Sequence, residues 1–201
     1  SYTKDERDLA RLHVKRLLEL GLKGSLLLFD RWYPSAEFIA FLRKNGFPFV
    51  MRARSKWNLE ADKVKTQDWI TLEHEEKHFS VRVLKVKLPN GETETLLTSL
   101  NQKQLPIGKA AGLYFKRWAV EISYDLIKSK LQLENFSGKT VVSVKQDFYA
   151  TMYLANLATF IAAESDVKIA EVDAPKNLKY LRQSNRNRTI HVLRKAFIRL
   201  L

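Results

Sequence analysis

The sequence contains no cysteine among its 201 residues, and its apolar runs are short. The lack of thiols excludes disulfide bonds, thiolate metal sites and cysteine nucleophiles. The longest mostly apolar run, FYATMYLANLATFIAA at 148–163, falls short of the roughly 20 residues that a membrane-spanning helix needs. The opening SYTKDERDLA is charged from its first residues, which predicts no secretory signal. We therefore expect a cytoplasmic protein without a membrane partner.

Positive charge is the dominant compositional feature. The chain has 35 Lys and Arg against 22 Asp and Glu, a formal net charge of +13. Its 45% hydrophobic and 11% aromatic content is typical of a packed globular protein, long enough for one domain with an inserted subdomain. The excess of cations favours a polyanionic partner, nucleic acid first and an anionic membrane second. A basic protein that binds nucleic acid only nonspecifically, or not at all, is the alternative.

Residues 110–131, AAGLYFKRWAVEISYDLIKSKL, predict one long helix because they contain no proline and repeat apolar residues at helical spacing. At about 100° per residue, Tyr114, Arg117, Glu121 and Lys128 fall on one narrow stripe. Apolar residues line both sides of that stripe: Leu113, Phe115, Ala119, Val120, Ile122, Tyr124, Leu126, Ile127 and Leu131. We expect a helix that is buried on both flanks and has a polar stripe open to an anion. An ordinary solvated face, with an Arg117–Glu121 ion pair at a spacing of four, is the alternative.

The spacing of Tyr114, Arg117, Glu121 and Lys128 resembles the Tyr-Arg-Glu-Lys signature of the DDE transposases of bacterial insertion sequences. The segment LQLENFSGKT at 131–140 is also similar to that family. The resemblance implies an α/β fold, a ribonuclease H-like catalytic core with a small antiparallel β insertion ahead of the glutamate. It further implies that Glu121 binds metal, and that the tyrosine, arginine and lysine contact DNA near the scissile phosphate.

A second candidate carboxylate follows a short apolar strand. Leu26 to Phe29 are uniformly apolar, as in a central strand covered on both faces, and Asp30 sits at the carboxyl end. Ligands of open α/β sheets gather at such strand ends, although an aspartate there also commonly begins a turn. The stretch FDRWYPSAEFIAFLRKNGFPFVMRAR resembles the family segment around the second catalytic aspartate. Its pattern is strand, Asp-Arg, a small helix capped by Ser35, and a second strand.

Two further groups of side chains are candidates for DNA contact. Arg52, Arg54 and Lys56 follow the second strand at a spacing of two, so that an extended chain places them on one side. They form either a phosphate-binding surface or merely a charged edge. Trp118 borders the polar stripe and either stacks on an unpaired base or packs in the core.

Cleavage and rejoining of phosphodiester bonds is served by two divalent ions about 4 Å apart, which activate the nucleophile and stabilise the leaving oxygen. Mg²⁺, for which Mn²⁺ can substitute, prefers carboxylate and water oxygens. Asp30 and Glu121 are the predicted metal-binding and catalytic pair. The resemblance implies double-stranded DNA as the partner, both transposon ends and target, together with self-association in a synaptic complex and a nucleoid-associated location.

The resemblance is incomplete, because the first catalytic aspartate of the family has no counterpart here: Asp30 already corresponds to the second. We therefore expect the carboxyl-terminal part of a transposase, which binds DNA but does not cleave it by itself. The predicted organisation is a core at 1–52 and 103–165 without its opening strands, a β-rich insertion at 53–102 and a basic helical tail at 166–201. A non-catalytic nucleic-acid-binding module is the alternative function.

Three local patterns complete the predictions. The pentad HEEKH at 74–78 satisfies the zinc-protease pattern, but it lies between two β-like runs, which favours a polar hairpin turn over a zinc hydrolase. Pro89-Asn90-Gly91 predicts another hairpin. Ser143 predicts a capped start for a second, buried helix that ends near Glu164 and is followed by a linker at 166–175.

Overall fold

The computed structural model describes residues 5–88, 91–131, 135–176, 178, 180 and 182–200. The chain divides into two compact units, Ser1–Trp118 and Ala119–Leu201. Among the described residues, no helix combines the length and the apolar character that crossing a membrane requires.

A mixed five-stranded sheet organises the first unit, which confirms the expected α/β class. Its strands are β1 (Leu27–Phe29), β2 (Phe49–Ala53), β3 (Gln67–His74), β4 (Lys77–Lys87) and β5 (Thr93–Thr98), in the spatial order β1-β2-β5-β4-β3. β1 and β2 are parallel, with Leu28 opposite Val50, and all other neighbours are antiparallel. The strands of the predicted insertion thus continue the sheet of β1 and β2, because β5 pairs with β2. The boundaries given to the insertion stay a prediction.

Helices cover both faces of this sheet. On one face lie α1 (Glu6–Glu19) and α2 (Ala36–Lys44). Three side chains of α2 are fully buried together with Phe49 and Met51 of β2: Phe38, Ile39 and Leu42. On the other face α4 (Ile107–Phe115) packs on Val50, Leu84 and Leu96, whereas the short α3 (Leu59–Lys63) follows β2 along the chain. Full burial of such a side chain stabilises the fold by about 1.5–3 kcal/mol. β2 is therefore apolar throughout its first three residues because both of its faces are covered.

Local signals set the element ends as expected. The Ser35 hydroxyl accepts a hydrogen bond from the Phe38 amide at 3.1 Å and begins α2, and Gly46 follows that helix with a φ of 73°. β3 and β4 are joined by Glu75 and Glu76, whose φ values of 49° and 58° fit the tight turn that suits strand twist. β4 and β5 also form a hairpin, with Gly91 at a φ of 84°; Pro89 and Asn90 lie outside the described residues.

The second unit is helical. Its elements are α5 (Ala119–Asp125), a π-helical turn (Leu126–Lys130), α6 (Val141–Asp173), a short 3₁₀ turn (Ala174–Lys176) and α7 (Arg186–Leu200). Leu126, Leu131 and Ile190 form a small core with Ala155 and Ala158 of α6.

Helix α6 differs from its prediction in length, cap and burial. Thr140, and not Ser143, is the N-cap, and the two side chains cap each other's backbone amides. The helix continues to Asp173, so the predicted end near Glu164 and the linker at 166–175 are wrong. The expected burial is also wrong, since Tyr149 is 67% exposed. The reason is that α6 packs through small residues at helical spacing, Ala155, Ala158 and Ala162, which leaves its aromatic side chains outside.

Asp173 ends α6 and holds the chain that follows. The Arg182 Nε donates to its Oδ2 at 2.6 Å, the Arg182 Nη2 donates to its Oδ1, and the Lys176 ammonium lies 3.2 Å from Oδ1. These hydrogen bonds, above all those from Arg182, lower the pKa of Asp173 from 3.8 to about 2. The two cations thus fix the segment between α6 and α7 through one carboxylate.

This clasp predicts an acid-dependent loss of stability. Because the folded pKa is depressed, the contribution of Asp173 is complete above its unfolded value of about 3.9 and disappears as the pH falls toward about 2. Asp173→Asn should lower the melting temperature at neutral pH and remove part of the decline across that acid range. Thermal melting at a series of pH values measures this. Glu164→Gln, an exposed acid of the same helix, is the control, and equal acid profiles for Asp173→Asn and wild type would contradict the assignment.

Candidate active site

Asp30 lies at the carboxyl end of β1, as the sequence predicts. Its Oδ1 accepts a hydrogen bond from the Arg31 amide at 2.7 Å, and its carbonyl accepts one from the Tyr33 amide at 3.3 Å. The carboxylate is half-buried at the edge of the parallel β1–β2 pair. Asp30 therefore both begins a turn and presents a carboxylate at a strand end. The two alternatives that the sequence offers for this residue are compatible.

Tyr114, on α4, is brought into electrostatic range of Asp30. The tyrosine is 7% exposed, and burial is the main reason why its pKa rises to about 12. The nearby Arg117 guanidinium opposes this rise, while the negative charges of Asp30 and Glu94 add to it. Two carboxylates from the sheet thus surround a phenol that stays protonated at neutral pH.

Arg117 lies against two aromatic rings. Its guanidinium carbon is 5.8 Å from the ring centroids of both Tyr114 and Trp118, within cation–π range. The Trp118 ring is about half exposed, which favours a surface role over the alternative of core packing. Arg117 is therefore held by its neighbours and is not merely a solvated cation.

The helix predicted over 110–131 is not one regular α-helix. In the first unit α4 ends at Phe115 and a 3₁₀ turn covers Lys116–Trp118; in the second, α5 passes into the π-helical turn. Segments of 3₁₀ and π geometry turn by other angles than 100° per residue and are frequent at functional sites. A uniform wheel therefore does not apply, and a common stripe for the four signature residues stays a prediction.

Glu121 and Lys128 belong to the second unit. Glu121 lies in the first turn of α5 and is exposed, and Lys128 is in the π-helical turn. The expected burial of the apolar flanks is confirmed for Leu126 and Leu131, which are buried. It is wrong for Phe115, which is 72% exposed, and for three exposed flanking residues of α5: Val120, Ile122 and Tyr124. The convergence of Glu121 with Asp30 remains a prediction.

The three basic residues at the end of β2 and just beyond it, Arg52, Arg54 and Lys56, have different environments. Arg52 pairs with Glu94 of the neighbouring strand at 3.0 Å, whereas Arg54 stacks on Trp32 with its guanidinium carbon 4.3 Å from the ring centroid. β2 ends at Ala53, and Lys56 has a φ of 61°, so the extended spacing stops before Arg54 and Lys56. The predicted single row of cations is thus replaced by a paired arginine and a stacked one.

A cavity of about 910 Å³ lies beside these arginines in the first unit. Its charged lining residues are Arg31, Arg52, Arg54, Lys65 and Lys85, with Asp62, Glu92 and Glu94. Sequence reasoning missed Arg31, Trp32, Lys65 and Lys85, which come from three separate segments of the chain. The one sequence signal for any of these residues was the position of Arg31 and Trp32 directly after Asp30.

The pentad at 74–78 forms the polar hairpin that the sequence favours. His74 ends β3, His78 is in β4 opposite Glu73, and the helix that the zinc-protease pattern requires is replaced by a two-residue turn. Within the described ranges, no three His, Cys, Asp or Glu side chains are grouped so as to hold a metal ion. The pentad therefore gives no support to a zinc hydrolase.

The raised pKa of Tyr114 predicts a late-ionising phenol. As the pH rises past about 10, where free tyrosine ionises, one of the seven tyrosines should stay protonated until about 12. Ultraviolet titration of tyrosinate absorbance should contain this late component in wild type and lose it in Tyr114→Phe. The denatured chain is the control, since unfolding removes the burial that raises the pKa; a late component that survives in Tyr114→Phe would contradict the assignment.

Comparison with known proteins identifies the family of the chain. Residues 3–157 match the family model described as "Transposase DDE domain". The chain is also 30% identical over 145 residues to a protein of Sinorhizobium fredii (strain NBRC 101917 / NGR234) described as "Putative transposase y4zB". That match covers 64% of this chain and 40% of the relative, so the chain spans less than half of the relative's length. Because the family model covers well over half of the sequence, the chain belongs to the DDE-domain transposases.

Proposed function

We propose that this chain supplies Asp30 and Glu121 as metal-binding residues to a ribonuclease H-like core that cleaves and joins DNA at transposon ends. The observation that carries the proposal is the place of Asp30, at the end of the parallel strand β1 and in electrostatic range of Tyr114. Membership of the DDE-domain family gives this geometry its chemical meaning. Glu121 follows from the signature spacing with Tyr114, Arg117 and Lys128.

The proposed metal ligands suit Mg²⁺, or Mn²⁺ in its place, because both are carboxylates and these ions prefer oxygen. Two such ions, when bound, would supply charge stabilisation for the attacking and leaving oxygens. Asp30 would hold one side of the site, with its Oδ1 oriented by the Arg31 amide at 2.7 Å. Glu121 would approach from α5.

The other signature residues act on the DNA. Tyr114 would donate a hydrogen bond from its protonated hydroxyl to a phosphate oxygen; this hydroxyl is buried in the present structure, so the contact requires DNA to reach it. The planar guanidinium of Arg117 fits two phosphate oxygens, while Lys128 supplies a point charge. The half-exposed ring of Trp118 is available to stack on an unpaired base.

The net charge of +13 suits double-stranded DNA, both transposon ends and target, as the partner. Self-association in a synaptic complex belongs to the same proposal, as do a core at 1–52 and 103–165, an insertion at 53–102 and a basic tail at 166–201. A nucleoid-associated location in the cytoplasm follows from a DNA partner.

Glu121→Gln tests the catalytic assignment in the full-length transposase. Removal of a metal ligand should lower strand cleavage by about 10³-fold or more, while DNA affinity is kept. Excision of a marker flanked by the gene's own boundary DNA, together with a gel-shift assay, measures the two effects. Glu171→Gln, an exposed acid on α6, is the matched control. Unchanged excision in Glu121→Gln would overturn the proposal and favour the non-catalytic nucleic-acid-binding module.

The 201-residue chain by itself should bind duplex DNA without nicking it. Asp30 and Glu121 would supply two carboxylates, and two ions require more oxygen ligands than one pair of carboxylates provides. Incubation with labelled boundary DNA and Mn²⁺, followed by a denaturing gel, measures nicking. The full-length protein is the positive control, and efficient nicking by the 201-residue chain would contradict the expectation of inactivity.

A further inference from the structure

The charged cavity of the first unit contains a set of cations with unequal partners. We call the surface formed by Arg31, Arg54, Lys65 and Lys85 the basic groove; it lies around the ends of β2, β4 and β5. Together with Arg52, five cations face three carboxylates there. The internal partners of each cation determine whether it can also bind an external anion.

Arg52 is already engaged. Its Nη1 lies 3.0 Å from Glu94 Oε1, and the Glu94 side chain is only 11% exposed. Removing the arginine would leave a nearly buried carboxylate without its counter-charge, which is costly. Arg52 therefore has a structural task within the sheet, and Lys85 is similarly occupied, donating to the Thr95 hydroxyl at 2.9 Å.

Arg54 has a different partner, the indole of Trp32. The guanidinium carbon is 4.3 Å from the ring centroid, and the Arg31 guanidinium is 5.7 Å from the same ring. Among the described residues, Arg54 forms no ion pair. A guanidinium stacked on an aromatic face keeps its in-plane N–H donors directed outward, in the fork that matches two phosphate oxygens.

The two segments that carry this stack are tied to each other. The Trp57 indole Nε1 donates to the Pro34 carbonyl at 2.9 Å, and the Trp57 amide donates to the Arg54 carbonyl at 3.2 Å. These bonds hold the turn after β2 against the loop after β1. Since Trp32 is 55% exposed, removing this contact should cost little stability, yet the contact holds the Arg54 guanidinium at the Trp32 ring.

We propose that Arg54, held by Trp32 as its positioning residue, binds a DNA phosphate through its two-pronged donor face, and that Arg52 does not contact DNA. The inference rests on the proposed function, because it takes DNA as the partner. It assigns different roles to Arg52 and Arg54, which the sequence places in one candidate group. Trp32 has no base-reading task in this assignment, so the contact is independent of DNA sequence.

The experiment measures the affinity of the 201-residue chain for a labelled duplex across a series of salt concentrations. Each phosphate contact contributes about 0.9 to the slope of log affinity against log salt. Arg54→Gln should lower that slope by about one and weaken binding about ten-fold at low salt. Arg52→Gln should leave the slope unchanged and lower the melting temperature. Lys15→Gln, which removes an exposed charge from α1, is the matched control for net charge.

A double-mutant cycle tests the positioning role of Trp32. Trp32→Ala should weaken binding in the wild-type background and have no further effect in the Arg54→Gln background, because its action passes through Arg54. Trp32→Phe should restore binding, since phenylalanine keeps an aromatic face. If Trp32→Ala is unstable, the proposal is tested with Trp32→Phe and Arg54→Lys, which remain measurable. Arg54→Lys should keep the slope of log affinity against log salt but lower the affinity.

The outcomes distinguish the two proposals. If the wild-type chain fails to bind the duplex at any salt concentration, the proposed function fails. If the wild-type chain binds, but Arg54→Gln keeps the wild-type slope or Trp32→Ala still weakens binding in the Arg54→Gln background, the inference about the groove is overturned and the proposed function stands.

Discussion

The first unit depends on the burial of β2 on both faces and its pairing on both edges. Phe49, Val50 and Met51 are fully buried, the first and third against the α1–α2 side and the second against α4. Parallel pairing with β1 fixes where Asp30 emerges, and antiparallel pairing with β5 brings Glu94 beside Arg52. The position of β2 thus determines where both the candidate site and the basic groove lie. This explains why charged residues follow immediately after the apolar residues of β2 and of its neighbour β1.

The phenol of Tyr114 illustrates how a buried helix and a charged strand act on one group. Burial raises its pKa most, and Arg117 counteracts part of that effect. The helix contributes the ring, and the sheet contributes the carboxylates of Asp30 and Glu94. The phenol is thus a neutral group with charged neighbours of both signs. The protonation state of this donor is therefore a property of the fold and not of tyrosine alone.

The sequence predicts well those features that are decided within a few residues. The Ser35 cap, the turn at Glu75 and Glu76 and the apolar strand before Asp30 are local, because adjacent side chains and backbone angles determine them. The family membership was also recognisable, from the spacing of the four signature residues and from two similar segments, one around Asp30 and one at 131–140. Features that involve distant neighbours were not predictable: Asp173 at the end of α6 binds Arg182, nine residues later, and the exposure of α6 follows from its packing through alanines.

The candidate site shows the same difference between features decided locally and features decided by distant neighbours. Asp30 was identified from its strand, whereas the partition of Arg52 and Arg54 required knowledge of β5 and of the loop after β1, both distant in sequence. The change from α to 3₁₀ and π geometry between 115 and 130 was equally hidden, because intrinsic propensities do not distinguish helix types. Lys65 and Lys85 reach the groove from segments with no motif at all.

Glu94 links the two halves of this chemistry. It lines the cavity and pairs with Arg52 at 3.0 Å, and its charge also acts on Tyr114. Because Arg52 neutralises this carboxylate, loss of the arginine would leave more uncompensated negative charge near the phenol, which would then hold its proton more tightly. The salt bridge within the sheet and the acidity of a phenol on α4 therefore share one glutamate.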